Sequence, residues 1–299
     1  MIRINFIFLI SPLFRHLLMF KMFFIILLLG QVNVLHAQVL SSREIIDRML
    51  TATKEVQTLK FKFKKIERIE GRMLTGEQDV KYLHTPRKTY AYLHSPSKGT
   101  EVLWIENENN GKVLVKPVSF PYIAVNLSPF GSVIRKNNHH TVHEIGFDYI
   151  AGIIGNIAGK SGKQFNQYFL YQGDIKFENR DCYKVLIDYV PYGYISYTVQ
   201  PGEDLPAIAK NLFVSDYMIK EINPAVDDYE DVKAGQQIKV PNAYARKTVL
   251  YIDKQSYLPV VQKMYDEKGL FAHYEFHNLE LNPAIKDEEF SKEYEDYNF

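Results

Sequence analysis

Three histidines, His139, His140 and His143, form the densest group of metal-ligating side chains in this 299-residue chain. His139 and His143 stand at i and i+4, a spacing that could share a metal on one face of a helix. Asn137 and Asn138 before the group and Gly146 after it read instead as a polar loop, so no metal site is expected. His273, Glu275 and His277 alternate at strand spacing, which puts all three on one sheet face as solvated polar side chains. Cys182 is the only cysteine, so an intrachain disulfide and a cysteine metal site are both excluded. It lies in a strand pattern with no neighbouring base. Gly-x-Ser-x-Gly, a phosphate-cradling glycine loop and His-Glu-x-x-His are all absent. The expectation is a non-enzymatic protein without a cofactor; catalysis would need paired carboxylates assembled from distant positions.

The N-terminus sets the compartment. Arg3, Arg15 and Lys21 precede the apolar run 22–29, which is too short to span a bilayer, and His36-Ala37-Gln38 follows. Residues 1–37 therefore read as a secretory signal peptide, with a retained signal anchor as the alternative. No transmembrane segment is expected after cleavage. No cysteine follows the leader to take a lipid. The whole chain carries 36 Lys and Arg against 35 Asp and Glu, and the leader contains three of the basic residues and no acidic one. Such a near-neutral chain has no electrostatic footprint for nucleic acid.

Between residues 197 and 241 the pattern is strand, helix, helix, strand. Tyr197, Thr198 and Val199 stop at the turn pair Pro201-Gly202. Asp204 is placed to cap a helix that tolerates Pro206 in its first turn and carries Ile208, Ala209, Leu212 and Phe213 on one face. Ser215 caps a second helix with Met218, Ile219 and Ile222, ended by Asn223-Pro224. After the turn Ala234-Gly235, Gln236, Ile238 and Val240 alternate with Gln237 and Lys239.

This unit resembles a LysM module, a family that binds N-acetylglucosamine polymers such as peptidoglycan. The family's Gly-Asp-Thr-Leu stands here as Gly202-Glu203-Asp204-Leu205, and Phe213 replaces the glycine of the turn between the helices. The resemblance implies a sugar groove between Gly202, Glu203, Asp204 and Leu205 on one side and Pro224, Ala225 and Val226 on the other.

Around this unit the chain is rich in β signals. Ser42 is placed to cap a helix with Ile45, Ile46, Met49, Leu50 and Val56 on its buried side, and strands are expected at 59–69, 77–83, 88–93, 102–106 and 112–115. Residues 183–190 and 248–252 read as neighbouring strands with the 197–241 unit inserted at their hairpin tip, so that cutting out 194–244 would leave the host folded. Residues 147–159 break the β pattern with Ile150, Ile153, Ile154 and Ile157 at helical spacing and Gly152, Gly155 and Gly159 between them.

The C-terminal motifs at 251–260, 264–269 and 274–279, with Asn282 and Phe290, resemble the end of LolA-like proteins, the periplasmic lipoprotein carriers, and of a related bacterial family of unknown function. The resemblance implies an α+β fold: a curved antiparallel half-barrel with helices on its concave face, formed by 38–193 and 245–299, plus an inserted β-α-α-β LysM domain at 194–244. It further implies an apolar cavity. The inward candidates are Phe61, Phe63, Tyr90, Tyr92, Leu103, Ile105, Tyr183, Val185, Ile187 and Tyr189. The implied protein is a secreted envelope component that docks on peptidoglycan and shelters a lipid, acyl group or lipoprotein. A structural envelope protein with a filled core, or a cell-wall hydrolase, are the alternatives.

Overall fold

The computed structural model describes residues 40–299; the expected leader lies outside them. Helix α1 (Ser42–Lys54) begins one residue earlier than the sequence suggested. Ser41, rather than Ser42, is its cap: the Ser41 hydroxyl accepts from the Glu44 N–H at 3.2 Å and the Glu44 carboxylate accepts from the Ser41 N–H at 2.8 Å. This reciprocal box satisfies two donors that an uncapped helix leaves orphaned. Ile45, Ile46 and Met49, one turn apart, are fully buried.

Six strands follow as a meander: β1 (Thr58–Ile69), β2 (Arg72–Leu83), β3 (Lys88–Ser95), β4 (Glu101–Ile105), β5 (Val113–Lys116) and β6 (Val125–Leu127). A short helix α2 (Ser132–Arg135) and the long helix α3 (Asp148–Ser161) come next, then α4 (Phe165–Tyr168), β7 (Phe169–Phe177) and β8 (Arg180–Asp188). The chain closes with β11 (Lys247–Asp253), β12 (Pro259–Asp266) and β13 (Gly269–Leu281). Eleven strands form one curved antiparallel sheet in the order β6-β5-β4-β3-β2-β1-β13-β12-β11-β8-β7. Val185 of β8 faces Leu250 of β11, the pairing expected of strands that flank an insertion.

Successive strand residues point to opposite faces, and register decides which cluster each one joins. On the inner face Phe61, Val80, Tyr82, Ala91, Val185, Ile187, Leu250 and Phe276 pack against α1 and against Ile150, Ile153, Ile154 and Ile157 of α3. On the outer face Tyr90 and Leu103 are buried under the C-terminal segment, where Tyr297 stacks on Tyr90 with centroids 3.7 Å apart and Phe290 joins them. The expected half-barrel with helices against its inner face is the fold observed.

The segment between β8 and β11 forms β9 (Tyr194–Thr198), α5 (Leu205–Leu212), α6 (Asp216–Ile222) and β10 (Gln237–Pro241), with β9 and β10 paired in a separate two-stranded sheet. Its own small core is built from Val199, Leu205, Ile208, Ala209, Val214, Ile219, Val226, Tyr229, Ile238 and Val240.

Candidate functional site

The two loops that the sequence assigned to sugar are brought together by main-chain bonding. The Leu205 N–H donates to the Tyr229 carbonyl at 2.9 Å, tying the loop after β9 to the loop after α6. Asp204 caps α5 by accepting from the Ala207 N–H at 2.7 Å. Glu203 is occupied too: its carboxylate accepts from the Tyr197 hydroxyl at 2.8 Å and from the Gln200 N–H at 2.9 Å. Gly202 has φ +81°, a conformation costly for any residue with a side chain. On the other loop Asn223 clamps the end of α6 to β10, donating to the Lys239 carbonyl at 2.8 Å and accepting from the Lys239 N–H at 2.9 Å. Leu205 and Val226 point into the module core, while Gly202, Pro224 and Ala225 are exposed. Of the seven expected groove residues, the exposed ledge is therefore made by these three, with half-buried Glu203 and Asp204 at its edge.

The module is packed on the host chiefly through α6 and the residues around it. Asp216, Tyr217, Met218 and Ile219, consecutive in α6, are all buried. Arg135, at the end of α2, donates from Nη2 to Asp216 Oδ1 at 2.7 Å, and its guanidinium lies 4.1 Å from the centre of the Tyr229 ring. The Tyr217 ring stacks on His139 at 4.5 Å and its hydroxyl accepts from the Glu70 N–H at 2.8 Å. Tyr149 donates to the Val214 carbonyl at 3.2 Å, and Lys160 donates to the Asn242 carbonyl at 3.0 Å. Phe213, which replaces the family's turn glycine, adopts φ +57° and lays its ring against Gly152 of α3, where a β-carbon would stand 3.1 Å from the ring. Tyr217, Met218, Ala243 and Tyr244 belong to the host's apolar cluster. The expectation that residues 194–244 lift out freely thus meets a shared core.

The histidine group corrects the sequence reading in another way. His139 is not in a solvated loop; it is fully buried between Phe271 and Tyr217, and its Nε2 is 2.9 Å from the Arg68 carbonyl. His140 Nε2 is 3.0 Å from the Tyr244 hydroxyl, and its ring lies beside Tyr149 and Tyr274. His143 stacks on Phe130 and meets Trp104 edge-on. Beside them Glu67 is buried, bonded to Lys65 at 2.6 Å, to the Tyr274 hydroxyl at 2.7 Å and to the His139 N–H at 3.3 Å. Burial opposes the Glu67 charge, but the Lys65 ammonium beside it, with the two histidines, brings its carboxyl down to about 2. Burial pushes His139 below the ordinary imidazole range and His140 down to about 3. Glu67 was missed in the sequence because a Lys-Lys-Ile-Glu-Arg run reads as a solvated strand. His273, Glu275 and His277 do share a face of β13, where His277 bonds Glu275 and Glu178 at 2.8 Å each; His277 is half-buried rather than freely solvated. Among the described residues no three His, Cys, Asp or Glu side chains gather as a metal site.

The ten expected cavity residues do not line one space. Phe61, Val185, Ile187 and Tyr189 are buried in the inner core, with Phe63 and Tyr183 at its margin. Tyr90, Tyr92, Leu103 and Ile105 project from the outer face, because the alternation of β3 and β4 turns them away from Ala91 and Val102. Leu103 and Ile105, with Phe290, instead line an outer depression of about 530 Å³ rimmed by Lys88, Lys112 and Glu288. A second depression, about 410 Å³, lies between α1 and the turn at Tyr257.

Comparison with known proteins finds two family matches. A LysM domain model matches residues 197–241, and the model of a protein family of unknown function, DUF1571, matches residues 56–190. Residues 197–241 are thus a LysM domain. Solved structures similar over most of the chain include the Mycobacterium tuberculosis lipoprotein LppX (12% identity, 82% of this chain and 97% of that one, TM-score 0.40). Others are a putative outer membrane lipoprotein-sorting protein domain from Vibrio parahaemolyticus (10%, 84% and 98%, 0.35) and a LolA superfamily protein from Nitrosomonas europaea (9%, 86% and 100%, 0.32). No curated protein matches the chain.

Proposed function

We propose that this is a secreted bacterial envelope protein that docks on peptidoglycan through its LysM domain, and that it acts by binding and positioning rather than by catalysis. The observation that carries the reading is the exposed ledge of Gly202, Pro224 and Ala225, formed where the Leu205–Tyr229 bond joins the two loops. The ligand is the N-acetylglucosamine-containing strand. A neutral sugar needs backbone donors and acceptors on a firm surface, and capped helices with an Asn223 clamp supply that firmness. Calorimetric titration of the mature chain with soluble N-acetylglucosamine oligomers should give saturable binding. No heat and no competition with cell-wall fragments would sink the reading.

A second reading gives the host an apolar ligand, a lipid, an acyl group or a lipoprotein segment. Its support is the loop between β5 and β6, where Val118, Phe120, Tyr122 and Ile123 are exposed, Phe120 to 85%. Protein purified under native conditions from membrane-containing cells would then carry added lipid mass in native mass spectrometry, and protein of bare mass would count against it.

A further inference from the structure

We propose that the host domain braces the glycan ledge through Arg135, which acts as a positioning residue for the LysM site without touching the sugar. The inference rests on the peptidoglycan reading above and extends it: the host becomes part of the binding site's support.

The chain of contacts is short. Arg135 is 3% exposed and is held between two groups of the module, the Asp216 carboxylate at the start of α6 and the face of the Tyr229 ring. Tyr229 in turn presents the carbonyl that fixes the Leu205 N–H, so a single guanidinium sets the first turn of α6 and the crossing point of both ledge loops. The two loops have few other ties between them. Asn223 secures only the end of α6, and Asp204 only the start of α5. Elsewhere the interface grips α6 along its length: Tyr217 between His139 and Glu70, Met218 3.2 Å from the Tyr192 hydroxyl, and Glu221 3.2 Å from Lys268. A module so held cannot swing about Gly193 and Asn242, whose mutual main-chain and side-chain bonds close its neck at 2.9 and 3.0 Å. Binding a glycan strand would therefore fix the orientation of the host sheet relative to the wall.

The charge balance of the contact makes it testable. Among the described residues Arg135 Nε and Nη1 have no hydrogen-bond partner, so the pair leaves part of its desolvation cost unmet. Removing one member alone strands a buried charge and destabilises the fold, whereas removing both with side chains of similar size is close to neutral. The double variant R135M/D216N therefore keeps the fold while abolishing the brace.

The experiment measures the affinity of full mature wild type and R135M/D216N for a soluble N-acetylglucosamine oligomer, with the thermal midpoint and the amide spectra of Gly202 and Ala225 recorded in parallel. The expected result is a midpoint near wild type, shifted or broadened Gly202 and Ala225 signals in the free protein, and about tenfold weaker binding, the scale of an ordinary coupling between sites. Unchanged affinity in the double variant, with wild type binding, overturns the brace and leaves the peptidoglycan reading standing. Wild type that fails to bind overturns both.

Discussion

Glu67 keeps its charge in the interior only because Lys65 and the Tyr274 hydroxyl meet it there, and this has consequences for acid stability. For His139 and His140 the folded pKa lies below the ordinary value of 6.5, so the unfolded chain takes up protons first as pH falls. Stability is fully present above 6.5 and declines below it, for His140 by on the order of 1 kcal/mol per pH unit toward its folded value of about 3. Glu67 adds its own loss only below its ordinary 4.5, as pH moves toward its folded value of about 2. Chemical denaturation between pH 4.5 and 7.5 should show this slope, and H140N should flatten it; a flat wild-type profile would contradict the buried network. None of this was legible in the sequence. Adjacent histidines flanked by asparagine and glycine have the composition of a loop, and only long-range packing on Phe271 and Tyr217 buries them.

At the level of elements, local signals carried far. The caps Asp204 and Ser215, the isoleucine face of α3 and the alternation of β8 were readable because each rests on neighbours a few residues away. What failed was parity between strands. Tyr90 and Tyr92 share a face with each other but not with Phe61, and register across β1, β2 and β3 decides that. Phe213 is the element-scale surprise: an aromatic in a left-handed turn looks like damage in the sequence, and the structure shows its ring seated against Gly152. G152L should cost about 1–3 kcal/mol through overpacking, and F213A in the same chain should recover part of it. Equal unfolding midpoints for wild type and G152L would show that the two do not press on each other.

Over the whole molecule, the module and its host share apolar packing through Tyr217, Met218, Ala243 and Tyr244, so the described chain should unfold in one cooperative transition. Excising 194–244 and joining the ends should cost at least about 3 kcal/mol, since the loss of one large buried aromatic alone is worth that much. An excised host as stable as the full chain would mean that the shared packing contributes nothing. The pairing of β8 with β11 was visible in the sequence, because the two strands match in pattern; the contact between Arg135 and Asp216 was not, because they lie 81 positions apart and neither carries a motif. The proposed anchoring of this molecule to the cell wall through residues 197–241 is decided by co-sedimentation with purified sacculi. Wild type should pellet with sacculi at low and physiological salt alike, and A225W, which crowds the exposed ledge, should remain in the supernatant; wild type remaining in the supernatant at both salt concentrations would contradict it.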